Sequence, residues 1–185
     1  AGDAAVFIAL VEGQDIEGQF WVGRHLSDAS DNSVIHDRCR EFLDAASGDG
    51  RLAVLTTLAS GTTPTLATLV FDELKSTDET RVDMALTALI NTLASSGQGN
   101  RFAYEGLDYQ PYAEAWSRLL LSDNAELAGK ADTALTRVPV EPVHHAFFRD
   151  LFLQAPSQYV LGVLSDHYVG EGAVKPAITY PAEGG

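Results

Sequence analysis

Residues 76–93 read STDETRVDMALTALINTL, and this stretch decides the fold. Val82, Leu86, Leu89, Ile90 and Leu93 recur at helical spacing and form one apolar stripe. Ser76-Thr77-Asp78-Glu79 has the S-x-x-E form of a capping box, so a helix is predicted to open there and to end before Gly97. Just upstream, Thr63-Pro64 reads as an N-cap followed by proline at the first helical position, with Leu66, Leu69, Val70 and Leu74 as the stripe. Before that, Leu52, Leu55 and Leu58 mark a short helix stopped at Gly61. Ile35, Cys39, Phe42, Leu43 and Ala46 mark another, capped by Asp31 or Ser33 and closed by Gly48.

Downstream, residues 97–108 read as a glycine-rich loop. Pro111 opens a helix with Tyr112, Ala115, Trp116, Leu119 and Leu120, and Asp123 caps the next with Leu127, Ala131, Ala134 and Leu135. Val143, Phe147, Phe148, Leu151 and Phe152 make a broad apolar face, and Pro156 starts a last helix with Tyr159, Val160, Val163, Leu164 and His167. From Gly170 the chain reads as an extended tail. Residues 1–29 leave two readings open. The run at 4–12 fits a strand or a short buried helix, and QFWVG at 19–23 fits a hairpin arm or a helix.

Three caps align: Asp31, Asp78 and Asp123. Each is followed by apolar residues at +4 (Ile35, Val82, Leu127), +8 (Cys39, Leu86, Ala131), +11 (Phe42, Leu89, Ala134) and +12 (Leu43, Ile90, Leu135). A second echo sets RVDMALT at 81–87 against KADTALT at 130–136. Any two amphipathic helices share those offsets. The shared Asp cap, the near-constant period and the leucine before each cap favour a true repeat.

The stretches SRLLLSDNAELAGKADTALTRV and DELKSTDETRVDMALTALINTL resemble HEAT and armadillo repeats over about residues 26–137. The proline within the first helix and the regular Arg/Lys ladder of such repeats are only partly present. The resemblance implies an all-α fold, a right-handed stack of antiparallel helical pairs forming an α-solenoid that works as a binding surface. It divides the chain into an N-terminal segment or cap (1–29), a helical repeat domain (30–169) and an extended C-terminal tail (170–185).

Composition narrows the function. Twelve Lys+Arg stand against 26 Asp+Glu, a formal net charge of −14, which opposes binding to nucleic-acid phosphates and to anionic lipid. An acidic surface either receives a basic partner or keeps the protein soluble. The single cysteine, Cys39, excludes an intramolecular disulfide framework and a Cys-rich zinc site. No apolar run approaches the roughly 20 residues that span a bilayer. No feature fixes the compartment, and a cytoplasmic location is the default expectation.

Candidate chemistry is sparse. His36 and Cys39 lie at i, i+3, but a metal needs more ligands. His144 and His145 are adjacent, so one is expected near the core and the other toward solvent. Ser95-Ser96-Gly97-Gln98-Gly99 follows a helix and lacks the lysine of a phosphate loop. The expectation is therefore a non-catalytic interaction scaffold with no cofactor or metal. Its acidic groove, containing Asp37, Glu41, Asp83 and Asp132, would take a basic or peptide-like protein partner. Residues 97–116 carry Arg101, Phe102, Tyr104, Tyr109, Tyr112 and Trp116, a cluster that fits interface anchors or a loop folded back as core. Arg101, Phe102, Tyr104 and Tyr109 are carried forward as partner-binding candidates. A self-assembling coat or shell subunit, its tail docked on a neighbouring copy, is the alternative, and a helical enzyme is the third reading.

Overall fold

In the computed structural model the described residues are 2–28, 33–61, 63–95, 104 and 106–170. They form ten α-helices and no strand. The helices are α1 (Gly2–Glu12), α2 (Ile16–Asp28), α3 (Ser33–Ala45), α4 (Gly48–Ala59), α5 (Pro64–Glu73), α6 (Glu79–Ser95), α7 (Ala113–Leu120), α8 (Ala125–Leu135), α9 (His145–Gln154) and α10 (Gln158–Gly170). Short 3-10 turns at Gln110–Tyr112 and Pro142–His144 lead into α7 and α9.

The N-terminal segment, open from sequence, is two helices. Asp15 caps the second by accepting from the Gly18 N–H at 2.8 Å. Gln19 is buried and closes the first, its amide donating to the carbonyls of Val11 (3.1 Å) and Gln14 (3.3 Å). Phe7 of α1 stacks on Phe42 of α3, with centroids 4.6 Å apart.

Asp78 is a cap, as its alignment with Asp31 and Asp123 predicts, but the Ser76–Glu79 box and the Asp123 cap are replaced. The Asp78 carboxylate accepts from the Thr80 N–H (2.9 Å) and Ser76 Oγ accepts from the Asp78 N–H (3.1 Å), so Asp78 caps α6 in place of a Ser76–Glu79 box. Glu79 instead accepts from Asn124 (3.1 Å). Asn124, not Asp123, caps α8 through the Leu127 N–H (3.3 Å). Neighbouring Asx residues differ little in capping strength, so packing chooses between them.

α4 is buried along most of its length, its polar Arg51, Thr56 and Thr57 included, and it packs against α1, α2, α3, α5 and α6. α6 packs against α4 and α8, α7 against α8 and α9, and α9 against α10. α6 and α8 run parallel in register. Asn124 meets Glu79 near their starts, Lys130 Nζ meets Asp83 midway (2.5 Å), and Arg137 just past the end of α8 donates to the Ile90 carbonyl (2.6 Å). The segments opened by Asp78 and Asp123 thus lie side by side. The segment beyond Asp31 does not share their position. α3 packs on α1, α4 and α5, and α4 takes the place beside α6. The shared apolar offsets mark any amphipathic helix and carry no information on which layer it joins.

A buried ionic knot ties α3 to α6. Arg51 of α4 donates to the Leu43 carbonyl (2.8 Å) at the end of α3 and to Glu73 of α5 (2.7 Å). Arg81 of α6 donates twice to the same carboxylate, at 2.8 and 2.9 Å. Burial alone would raise the Glu73 carboxyl, but the hydrogen bonds and charges of Arg81 and Arg51 hold it below its ordinary value.

Candidate partner-binding face

The aromatic loop cluster lies in the core. Phe71 of α5 stacks on Tyr109 (5.6 Å) and meets Tyr112 and Trp116 edge-on. Tyr104 and Tyr109 are fully buried, which corrects their expected role as surface anchors. The Tyr104 hydroxyl donates to the Ala59 carbonyl (2.8 Å) and that of Tyr109 to the Pro139 carbonyl (3.2 Å). These two hydroxyls satisfy buried backbone acceptors, which is why tyrosine rather than phenylalanine stands there. Arg101 and Phe102 lie outside the described residues.

The four acidic candidates fall on three helices. Asp37 and Glu41 are exposed on α3, where Glu41 accepts from Arg38 at 2.7 Å. Asp132 is exposed on α8. Asp83 on α6 is engaged by Lys130, whose ammonium is held above its ordinary value by that hydrogen bond. Asp83 is thus occupied in joining α6 to α8.

His144 and Cys39 are buried in the core. His144 is buried and stacks on Tyr109 at 4.0 Å. Its Nδ1 accepts from the Glu141 N–H (3.1 Å), which places the ring proton on Nε2, facing the Leu107 carbonyl at 2.9 Å. Burial pushes this imidazole below its ordinary value. Cys39 is buried, and burial pushes its thiol up to about 11. Among the described residues, no three His, Cys, Asp or Glu side chains come together as a metal site. Val143, expected on an apolar inner face, is exposed because it sits in the 3-10 turn before α9.

α2 is built differently from the other helices. Its buried residues are Gln19, Gly23 and Ser27, one polar or small side chain per turn. Gly23 lies so close to α4 that a Cβ there would stand 2.2 Å from the Thr57 carbonyl oxygen. Val22 and Leu26 pack against the core, while three other large apolar residues turn outward. Ile16 and Trp21 are 46% and 56% exposed, and Phe20 is half-buried. With Glu17 and Arg24 they line an open cleft of about 500 Å³. The Arg24 guanidinium lies over the Trp21 ring, 5.7 Å from its centroid. α1, packed beside α2, exposes Ala5, Val6, Ala9 and Leu10, a second apolar stripe at helical spacing.

No family model, no curated protein and no solved structure matches the chain.

The chemistry of this face therefore rests on its own residues. Asp3, Glu12, Asp15, Glu17 and Asp28 are all exposed on α1, α2 and their joining turn, against Arg24 as the one Lys or Arg of residues 2–28. An apolar aromatic cleft on helices with an excess of exposed acids offers burial to apolar side chains and long-range attraction to cations. Sequence reasoning passed over it because Gln19, Gly23 and Ser27 were not read as a face. Their spacing of four, with Phe20 and Trp21 beside them, was the available signal.

Proposed function

We propose that the chain is a non-catalytic protein-interaction scaffold, a stack of antiparallel helical pairs that receives a basic partner. In this reading α3/α4, α5/α6, α7/α8 and α9/α10 are the pairs. The in-register, parallel contact of α6 with α8 supports the stacking, since equivalent helices of successive pairs align that way. The observation that carries the binding role is the outward-facing apolar side of α1 and α2 within an acidic surface. Partly exposed aromatic and aliphatic side chains gathered around one cleft, as Ile16, Phe20 and Trp21 are, commonly mark an interaction site.

The test compares native capture by the wild-type chain with capture by a variant carrying Asp37→Lys, Glu41→Lys and Asp132→Lys. Asp83 is left intact because Lys130 depends on it. The scaffold reading expects wild type to recover basic proteins that the variant loses, while both chains keep the same helical circular dichroism. Equal capture by both chains would remove the acidic surface from the account.

A further inference from the structure

We propose that the α1–α2 face is a docking groove for an amphipathic helix of the partner, one with aliphatic or aromatic residues along one stripe and Lys or Arg at its edges. The proposal rests on the scaffold reading and names the kind of segment bound.

Three observations converge. The first is the build of α2, which makes its closest approach to α4 at Gly23, packs Val22 and Leu26 against the core and holds Ile16, Phe20 and Trp21 outward. A helix whose only purpose was to cover α4 would bury its aromatic residues, because each is worth far more than a glycine when removed from water. The second is spacing. Ile16, Phe20, Trp21 and Arg24 follow one helical face, as do Ala5, Val6, Ala9 and Leu10 on α1. The cleft itself is lined by the α2 stripe, whose i, i+4, i+5 and i+8 residues make a ridge against which the side chains of another helix can pack. The third is charge. The ten acids of residues 1–50 stand against three arginines, so half of the net −14 gathers at this end of the chain.

Charge also decides among occupants. The segment 171–185 (EGAVKPAITYPAEGG) has two Glu and one Lys, so it brings negative charge to a negative surface. A second copy brings −14. Only a cationic segment gains from that surface at long range, and like charges across an interface penalise the other two.

The protein carries its own reporter, since Trp21 is exposed and Trp116 is fully buried. The probe is a synthetic, tryptophan-free amphipathic helix of leucine and lysine carrying a fluorescent label. It is compared with a scrambled peptide of the same composition and with its leucine/glutamate counterpart. The expected result is a blue shift of the Trp21 emission with the leucine/lysine helix alone. By label anisotropy its affinity drops about thirtyfold in Trp21→Ala, the size of an interface hot spot, and about tenfold in Ile16→Ala. Both side chains are substantially exposed, so these variants should keep the wild-type circular dichroism. If the scrambled peptide binds equally well, or the two variants bind like wild type, the groove is wrong and only bulk acidity remains. If no cationic peptide binds at all, the scaffold reading falls with it. If peptide 171–185 produces the blue shift, or light scattering shows a multimer that protects Trp21, the occupant is the chain itself and the proposal is overturned.

Discussion

The two tryptophans of this chain meet opposite fates. Trp116 on α7 has no exposed surface and packs against Phe71, within a core that includes Tyr109, Phe147 and Phe148. Trp21 on α2 keeps 56% of its surface in water. The difference lies in what the opposite side of each helix offers. α7 has its largest side chain turned into the core, whereas α2 meets α4 most closely at a glycine and turns only Val22 and Leu26 of its larger apolar residues toward the core. A close backbone contact can hold a helix in place and leave its large residues free.

That contrast makes graded predictions. Trp116→Ala should cost about 3–5 kcal/mol, the range for emptying a large aromatic site, while Trp21→Ala should change stability by no more than about 0.5 kcal/mol. Urea denaturation of both variants measures the gap, and similar losses would erase the distinction between core and surface tryptophan. Glu73→Gln should cost about 3 kcal/mol, because it leaves the buried Arg51 guanidinium without its counter-charge. Its effect should appear as lost cooperativity of the α3–α6 unit, read by hydrogen exchange.

Gly23→Ala should cost about 1–3 kcal/mol, since the new methyl meets the Thr57 carbonyl oxygen and forces α2 away from α4. Gly129→Ala on the open side of α8 meets nothing within 4 Å and should stabilise by up to about 1 kcal/mol. Thermal melts of the two single variants should move in opposite directions. If Gly23→Ala is neutral, α2 is not pinned as described.

The smallest effect is in pH. The folded His144 imidazole lies below its ordinary value of 6.5, so the unfolded chain binds that proton first as pH falls. Its contribution to stability is fully present above about 6.5 and is lost below it. The folded Glu73 carboxyl is also depressed, so its contribution is present above about 4.5 and is lost at lower pH. The urea midpoint should therefore fall in two stages on acidification, and His144→Gln should flatten the first. An unchanged first stage would assign it to another group.

The helices of the central stretch were legible because their apolar residues face one way and their ends carry Asp, Pro or Gly. α6 and α8 were placed together on the echo of 81–87 in 130–136, and they do pack together. α3 was assigned to their layer on offsets that it shares with any amphipathic helix. α4 was read only as a short leucine helix, yet it is the element that five others enclose. Residues 1–29 stayed ambiguous because α2 reverses the usual pattern. A reading that looks for apolar residues facing inward finds Phe20 and Trp21 and expects them buried. The aromatic residues near 104–116 were equally compatible with core and interface, since composition alone does not tell which way a ring turns.

The most direct measurement is acrylamide quenching and emission of wild type against Trp21→Phe. The account predicts that the difference spectrum, which isolates Trp21, lies at the long-wavelength position of indole in water and is readily quenched. The remaining Trp116 signal should be blue-shifted and protected. A Trp21 component that is blue-shifted and shielded in the monomeric protein would contradict an open face on α2, and the docking groove with it.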